Sequence, residues 1–319
     1  MMKHFLGLSF LILVTACGGK YTAEESSQPH KTTTSLMILG TIQDAGSPHI
    51  ACKRECCKVL FDIPDLQRQV VSLGVYDEET QKKYLFEATP DIARQLKALK
   101  QFGKKKDAEL PDGIFLTHAH IGHYTGLMYL GKEATNADNT PVYAMPKMQQ
   151  FLVQNGPWSQ LVHTNNIALL PLENEQSIPL SKTLSVTPLV VPHRDEYSET
   201  VGYRIKGPNK TALFIPDIDK WEKWDKDIIQ QIAQVDYAFV DATFYSGKEI
   251  GNRDISQIPH PFIIESMEKF KGLTAAEKQK IVFIHFNHTN PILDPSSREA
   301  KKVIQNGFRI AQIHDIYEL

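Results

Sequence analysis

The sequence predicts a large α/β domain in which two groups of strands alternate with helices. Short apolar runs of strand length recur along the chain and are separated by amphipathic stretches. Several of these runs end directly in histidine or aspartate, and sites on layered α/β folds gather at such strand ends. Residues 36–319 are numerous enough to form one domain with a sizeable core.

The first 35 residues instead have the features of an export signal and a linker. Residues 5–14 form an apolar core that is too short to span a bilayer, for which about 20 residues are needed, so residues 1–16 predict a secretory signal peptide. The small residues before Cys17 resemble the bacterial lipobox, which implies cleavage before Cys17 and lipidation of this cysteine. An ordinary signal peptide with an incidental cysteine is the alternative. Residues 17–35 are polar and predict a flexible tether.

These features predict an exported lipoprotein that is anchored in a membrane and faces the periplasm or the cell surface. The expected partners are the membrane, through the lipid on Cys17, and a small-molecule substrate. The formal net charge of −2 gives no reason to expect a nucleic-acid partner.

The elements of the predicted domain follow from local patterns. A helix over residues 89–99 has Thr89 as N-cap and Pro90 at its first position. Further helices are predicted at 125–130, 147–154, 221–235 and 296–305. Strands are predicted at 36–40, 113–116, 141–145, 184–191, 200–206, 210–215, 237–240, 281–286 and 308–313.

The most informative segment follows the apolar run at 113–116. His118, His120 and His123 lie within six residues of one another, directly after this predicted strand. Around a bend, the spacing His-x-His-x-x-His can aim three imidazoles at one point, and neutral imidazole is a common ligand of zinc and similar metals. Three surface histidines beside a turn are the alternative. Because the cluster follows a buried strand, the pattern favours a metal site.

This spacing resembles the signature of the metallo-β-lactamase superfamily, His-x-His-x-Asp-His after a central strand. Members of the superfamily use further ligands far downstream, and three candidates stand in the same order here. Each closes an apolar run that predicts a strand: they are His193, Asp217 and His285. For residues 36–319 the resemblance implies the metallo-β-lactamase-type αββα four-layer sandwich.

The resemblance also implies two neighbouring metal sites that share one aspartate. The motif aspartate of the superfamily belongs to the second site, and Gly122 stands in its place here. We therefore expect one firmly held divalent ion and a second that is weaker, different or absent. The expected metal is zinc, with iron and manganese as alternatives. The implied ligands are His118, His120, His193 and Asp217 at the first site, and His123, Asp217 and His285 at the second.

Four segments, at residues 41–49, 84–92, 240–244 and 283–293, accompany a tight cysteine cluster soon after the first predicted strand. Together they resemble the pyrroloquinoline quinone biosynthesis protein B branch of this superfamily, which has a Gly-rich first loop and such a cluster. The corresponding residues are Cys52, Cys56 and Cys57, an odd number once Cys17 is assigned to lipid. They could hold a structural zinc with a fourth ligand such as His49. The alternative is a disulfide from Cys52 to one of the other two. The resemblance favours the metal.

A further motif narrows the chemistry. Asp-Ala-Thr-Phe at residues 241–244, followed by His260, resembles ribonuclease Z and related phosphodiesterases. In those enzymes the acidic residue orients a histidine that protonates the leaving oxygen, and a carboxylate on one ring nitrogen raises the basicity of the other. The resemblance implies these roles for Asp241 and His260. Alternatively, His260 only caps a following helix.

These residues favour a metal-dependent hydrolase that directs a metal-activated water at an ester, lactone or phosphodiester, with Asp217 orienting the water. Arg194 or Tyr197 could bind an anionic substrate group, and His288 and Asn290 could line the pocket. Two other classes stay open. One is an iron-dependent oxidoreductase, because the quinone biosynthesis branch is associated with iron-dependent oxygen chemistry. The other is a non-catalytic metal-binding lipoprotein. The quinone biosynthesis branch departs from His-x-His at the positions of His118 and His120, whereas this chain keeps both histidines, which favours hydrolysis.

Overall fold

The computed structural model describes residues 33–102, 108–251 and 253–319. Its strands are β1 (Ser35–Gly40), β2 (Ser72–Asp77), β3 (Lys82–Phe86), β4 (Gly113–Phe115), β5 (Thr140–Ala144), β6 (Ile167–Pro171), β7 (Ile178–Pro179), β8 (Ser185–Val190), β9 (Val201–Lys206), β10 (Thr211–Ile215), β11 (Tyr237–Asp241), β12 (Ile281–Ile284), β13 (Arg309–Ile310) and β14 (Ile316–Glu318). Its α-helices are α1 (Glu55–Asp62), α2 (Ile92–Phe102), α3 (Ile121–Tyr124), α4 (Pro146–Gln154), α5 (Trp158–His163), α6 (Ile228–Ala233), α7 (Ile263–Lys269), α8 (Ala275–Lys280) and α9 (Arg298–Gln305).

These strands form two mixed sheets with the same pattern of directions. The first sheet has the order β14-β1-β2-β3-β4-β5-β6, and the second has the order β13-β12-β11-β10-β9-β8-β7. In each sheet, one half is antiparallel and the other half is parallel, with β3 to β6 parallel in the first and β10 to β13 parallel in the second. Parallel strands are normally covered on both faces. Here one face of each sheet packs on the other sheet, and helices cover the opposite face.

Strand β1 shows how the layers are built. Its side chains point alternately to opposite faces. Leu36 and Ile38 belong to a hydrophobic cluster that is shared with the second sheet, whereas Met37 and Leu39 belong to a cluster shared with the helices outside the first sheet. Helix α2 packs on β1 and β2, α4 and α5 pack on β6, and α8 and α9 pack on β12 and β13. The predicted αββα four-layer sandwich is therefore confirmed.

Aromatic rings hold the two sheets together beneath the predicted site. Phe86 and Phe115 stack with ring centroids 4.8 Å apart, and Tyr203 of the second sheet meets Phe115 edge-on at 5.7 Å. All three are fully buried, and each buried ring of this kind contributes about 1.5–3 kcal/mol through removal of its apolar surface from water. The strands that end at the site therefore lie on a rigid base.

Three predicted elements differ from the structure. Residues 125–130 form a 3-10 helix (Thr125–Leu130), and the predicted strand at 308–313 is reduced to β13. The single helix predicted over 221–235 is wrong, because a 3-10 turn at Trp221–Lys223 is separated from α6. The indole of Trp221 donates to Ser266 Oγ at 2.9 Å and that of Trp224 donates to the Val190 carbonyl at 2.9 Å, so tertiary contacts interrupt the helical periodicity.

The predicted signal peptide, with Cys17, and nearly all of the predicted tether lie outside the described residues. Within the residues that are described, none of the helices has both the length and the apolar character that crossing a bilayer requires.

Candidate metal centre

The loop after β4 carries the first two histidines and is fastened to the second sheet. The Thr117 carbonyl accepts a hydrogen bond from Val201 N at 3.1 Å, and Ala119 N donates to Ser198 Oγ at 2.8 Å. Helix α3 then turns the chain so that His123 faces the same side. The sequence folds in this way because the apolar run of β4 ends at the edge of the buried sheet.

The remaining donors come from the second sheet. Strands β8, β10, β11 and β12 run in the same direction, so their carboxyl ends meet at one edge. His193, Asp217 and His285 follow β8, β10 and β12, and Asp241 is the last residue of β11. The structure therefore brings together all the metal donors that the sequence predicted for the main centre.

The first group consists of His118, His120, His193 and Asp217, whose donor atoms all lie within 4.8 Å of one another. His118 Nε2 and His120 Nδ1 are 2.8 Å apart. Asp217 Oδ2 lies 3.4 Å from His118 Nε2 and 3.3 Å from His193 Nε2. These spacings are close to the separation of about 3.3 Å between neighbouring donors around a tetrahedral ion with bonds of about 2.0–2.1 Å.

The chemistry of this group also fits a divalent ion. His193 is almost fully buried, and neither of its ring nitrogens has a hydrogen-bond partner among the described residues. A buried polar group without a partner is unfavourable by about 1–3 kcal/mol, which a bound cation would relieve. Three imidazoles and one carboxylate are suited to a divalent metal ion.

Burial keeps His118 and His120 in the protonation state that binds metal, and neighbouring imidazoles have the corresponding effect on Asp217. Burial lowers the pKa of His118 well below the usual value, and it also lowers the pKa of His120. The imidazoles are therefore neutral, with a lone pair available. For Asp217, burial opposes ionisation, but the neighbouring imidazoles of His193 and His260 outweigh it and hold its pKa well below the usual value.

The second group consists of His123, Asp217 and His285, the ligands implied for the second site. His123 Nε2 is 3.8 Å from Asp217 Oδ2, and its Nδ1 is 3.4 Å from Oε1 of Glu87. Burial opposes a charge on His123, but the Glu87 carboxylate outweighs it and raises the pKa of His123 to about 9. Glu87 is fully buried directly after β3 with φ of 76°, and no pattern in the sequence identifies its role. It fixes the orientation of the His123 ring.

The structure also brings together Asp241 and His260. His260 Nδ1 lies 2.8 Å from Asp241 Oδ2 and 3.1 Å from Asp217 Oδ1. Burial opposes the charged imidazole, but the Asp241 and Asp217 carboxylates raise the pKa of His260 to about 10. Helix α7 has Phe262 at its N-cap, so His260 is not a cap.

Thr243 connects this pair to the second group. Its hydroxyl donates to Asp241 Oδ1 at 2.7 Å and lies 2.8 Å from His285 Nδ1. No pattern in the sequence predicts this role, although Thr243 belongs to the motif that contains Asp241. The other ring nitrogen of His285, Nε2, has no hydrogen-bond partner among the described residues.

Three residues that the sequence suggested as substrate contacts, Arg194, Tyr197 and Asn290, differ in their positions. Arg194 Nη2 lies 3.4 Å from His120 Nε2, so its guanidinium borders the metal centre. Tyr197 is exposed and packs on Phe151 with ring centroids 5.6 Å apart. Asn290 is buried and donates to the Ala242 carbonyl at 2.9 Å, which makes it part of the scaffold rather than a pocket lining.

The cysteine cluster forms a separate donor group. Cys52, Cys56, Cys57 and His288 each offer a donor atom within 4.8 Å of the others, and the three thiols are free. The suggested fourth ligand, His49, instead stacks on His288 with ring centroids 4.4 Å apart, while its backbone N–H contacts Cys57 Sγ at 3.3 Å. The structure therefore favours His288 over His49 as the fourth donor.

Comparisons with known proteins agree with this geometry. The chain is 26% identical over 306 residues to coenzyme PQQ synthesis protein B of Gluconobacter oxydans, covering 87% of this chain and 96% of that protein. Its fold is similar to the crystal structure of zinc-bound PqqB from Methylobacterium extorquens, with a TM-score of 0.74 and 22% identity over 89% of this chain and all of that chain. It is also similar to a diphosphatase from the PhnP family, with a TM-score of 0.64 and 21% identity over 90% of this chain and 98% of that chain.

The family profile described as "Beta-lactamase superfamily domain" matches residues 82–286, which is more than half of the chain. This segment contains β3 to β12 and every predicted ligand of the main metal centre. The chain therefore belongs to the β-lactamase superfamily, in its metal-dependent form.

Proposed function

We propose that this chain is a metal-dependent hydrolase that cleaves an ester, lactone or phosphodiester with a metal-activated water. The observation that carries the proposal is the contact between two functional units. Asp217, which belongs to the metal-binding group, lies 3.1 Å from His260, and His260 is paired with Asp241 at 2.8 Å. A hydrolase needs both a site for the attacking water and a proton donor for the leaving group.

The residues divide the work as follows. His118, His120, His193 and Asp217 would hold a divalent ion, for which zinc is our first choice. Such an ion lowers the pKa of bound water to about 7 and polarises the bond to be cleaved. Asp217 would also orient the attacking water, because its carboxylate lies between the metal-binding histidines and His260. Asp241 binds His260 through Nδ1 and leaves Nε2 available to protonate the leaving oxygen, and the His260 side chain is 12% exposed, so substrate can reach it.

The surroundings support an anionic substrate. An open cavity of about 340 Å³ is lined by three cationic residues, Lys53, Arg54 and Arg253, against one carboxylate, that of Glu249, and also by Phe244. The Phe244 ring lies 6.0 Å from the His260 ring, which connects this cationic cavity to the proton donor. The similarity to a PhnP-family diphosphatase supports a phosphate-containing group as the anionic part of the substrate.

A second candidate function is an iron-dependent oxidoreductase. The similarity to coenzyme PQQ synthesis protein B over most of both chains favours it. The same histidines could bind iron, so the two functions share the metal centre and differ in the metal and the reaction. The His260–Asp241 pair favours hydrolysis, because a proton donor for a leaving group has no evident task in the oxidative reaction.

We also propose a structural zinc at Cys52, Cys56, Cys57 and His288, and membrane attachment through lipidated Cys17. Three thiolates and one histidine form a common closed zinc site, whose role would be to fix the loop that contains His49. The apolar segment before Cys17 and the polar tether after it support the anchor.

Replacing His120 should remove hydrolysis. In His120→Ala, kcat/KM should fall by more than about 100-fold, since even partners outside the ligand shell change activity by 10–100-fold in metal sites. The measurement is turnover of phosphodiesters, lactones and carboxylic esters by protein loaded with zinc or with iron. His163→Ala, in an exposed position on α5, is the control. Full activity in His120→Ala would refute the mechanism, and oxygen uptake by the iron form alone would favour the oxidoreductase.

Replacing His260 should reveal its role through the leaving group. For an alkyl phosphodiester, His260→Ala should lower kcat by about 10²–10⁴, because the alkoxide needs a proton. A nitrophenyl diester should lose much less, since nitrophenolate leaves without one. Asp241→Asn should show the same dependence on the leaving group. Equal losses for both substrates would instead indicate a purely structural role.

The cysteine group should bind cobalt with a thiolate charge-transfer absorption. His288→Ala should weaken this absorption, because it removes a donor, whereas His49→Ala should leave it unchanged. Absorption spectra of the cobalt-loaded protein measure the difference. Retention in His288→Ala with loss in His49→Ala would contradict the assignment, as would a thiol count that reveals a disulfide.

Replacing Cys17 should release the protein from the membrane. In cells, Cys17→Ser should move the protein from the membrane fraction to the soluble fraction and abolish incorporation of labelled fatty acid. Cys56→Ser should remain lipidated and serves as the control. Unchanged membrane attachment in Cys17→Ser would argue for an ordinary signal peptide.

A further inference from the structure

We propose that Asp44 binds a second divalent cation together with His123, His285 and Asp217, in place of the carboxylate that is missing at position 122. This inference deepens the proposed function, because it adds an ion to the same centre, and it rests on that function only for the presence of the first ion. The donor atoms of Asp44, His123 and His285 lie within 4.8 Å of one another. Asp217 reaches His123 from the other side, with Oδ2 3.8 Å from Nε2.

The glycine at position 122 and the aspartate at position 44 occupy the same space. A β-carbon added to Gly122 would lie 1.9 Å from the Cβ atom of Asp44 and 2.2 Å from its Cα atom. Both distances are far below any allowed contact, so the loop after β1 fills the volume in which a side chain on α3 would begin. The Asp44 carboxylate therefore starts close to where a carboxylate from position 122 would start.

The backbone holds Asp44 beside His285. Gln43 N donates to the Phe286 carbonyl at 2.9 Å, and Phe286 N donates to the Thr41 carbonyl at 2.7 Å. These two bonds make a short parallel bridge between the end of the first sheet and the segment that carries His285. Main-chain hydrogen bonds at Gln43, one residue before Asp44, thus fix where the loop that carries Asp44 begins.

Each of the two histidines of this group has a buried ring nitrogen without a hydrogen-bond partner among the described residues. His123 and His285 are fully buried. His285 Nδ1 faces the Thr243 hydroxyl at 2.8 Å, and its Nε2 has no hydrogen-bond partner within the described part of the chain. His123 Nδ1 faces Glu87, which leaves Nε2 for the same space. Buried imidazole nitrogens without partners are unfavourable unless a ligand satisfies them.

The charges of the group complement a dication. Asp44 and Asp217 supply two carboxylates, and His123 and His285 supply two neutral nitrogens when a metal replaces their protons. This set suits zinc, manganese or iron(II). A simple ion pair between Asp44 and protonated His123 is the competing explanation, and it predicts no additional metal.

Metal content distinguishes the two explanations. The purified chain should be dialysed against zinc and its metal counted per protein by mass spectrometry. Asp44→Asn should contain one equivalent fewer than the unmodified chain, because it removes an anionic ligand without changing shape. Asp65→Asn, at an exposed position that contacts Arg68, is the matched control and should lose none.

A second variant tests the geometry without removing any donor. Gly122→Ala should push the Asp44 backbone away and should also lose one equivalent, whereas Gly272→Ala, where an added β-carbon meets nothing within 4 Å, should keep all of them. Circular dichroism establishes that each variant is folded. Manganese-loaded protein supplies an independent readout, since a coupled two-manganese electron paramagnetic resonance signal should disappear in Asp44→Asn.

Equal metal content in the unmodified chain and Asp44→Asn would overturn the inference and favour the ion pair. That result is separate from failure of the proposed function, because metal counting requires no substrate. Conversely, loss of one equivalent in Asp44→Asn alongside an absence of hydrolysis would leave the second site standing and remove the hydrolase.

Discussion

One buried carboxylate, that of Asp217, is the point on which the centre depends. His118, His193, His123 and His260 all lie within 3.1–3.8 Å of its two oxygens. So many polar groups around one buried anion would be unstable in an apolar interior if they remained unpaired. The arrangement is consistent only if cations, protonated imidazoles or both satisfy it. Asp217 therefore links the candidate metal-binding group to the His260–Asp241 pair electrostatically.

The fold holds these groups in place through strand ends rather than flexible loops. The ligands follow β4, β8, β10 and β12, and two of these strands, β4 and β10, carry rings of the aromatic packing between the sheets. Two of the residues, Glu87 and His285, have left-handed backbone conformations with φ of 76° and 69°. Such conformations are unfavourable by about 1–3 kcal/mol and persist where the surrounding structure requires them. The packing of the surrounding sandwich thus offsets the unfavourable backbone conformations at the site.

The sequence was sufficient to predict the fold class and the principal donors for two reasons. Local patterns predict strands that end in histidine or aspartate, and the resemblance to the metallo-β-lactamase superfamily implies the sandwich and the ligand set. Each apolar run that ends in His193, Asp217 or His285 gives its own signal. Asp44 could not be identified in this way, because its importance depends on a close approach between two segments that are far apart in sequence. The same limit explains why His49 was suggested beside the cysteines where the structure presents His288. Contacts of Trp221 and Trp224 likewise interrupt a helix that periodicity alone predicted.

The overlap between the loop after β1 and Gly122 has an evolutionary consequence. No side chain of any kind can be introduced at position 122 while the loop keeps its path, because even the main chain of Asp44 lies in the space that the side chain would occupy. An acidic residue at position 122 and Asp44 in its present place therefore cannot occur together, so an intermediate sequence that contains both is sterically excluded. Relatives should separate into two lineages. One should have an acidic residue at position 122 and a loop that follows a different path, and the other should have glycine at position 122 and an acidic residue in the loop. Sequences that combine both features should be rare.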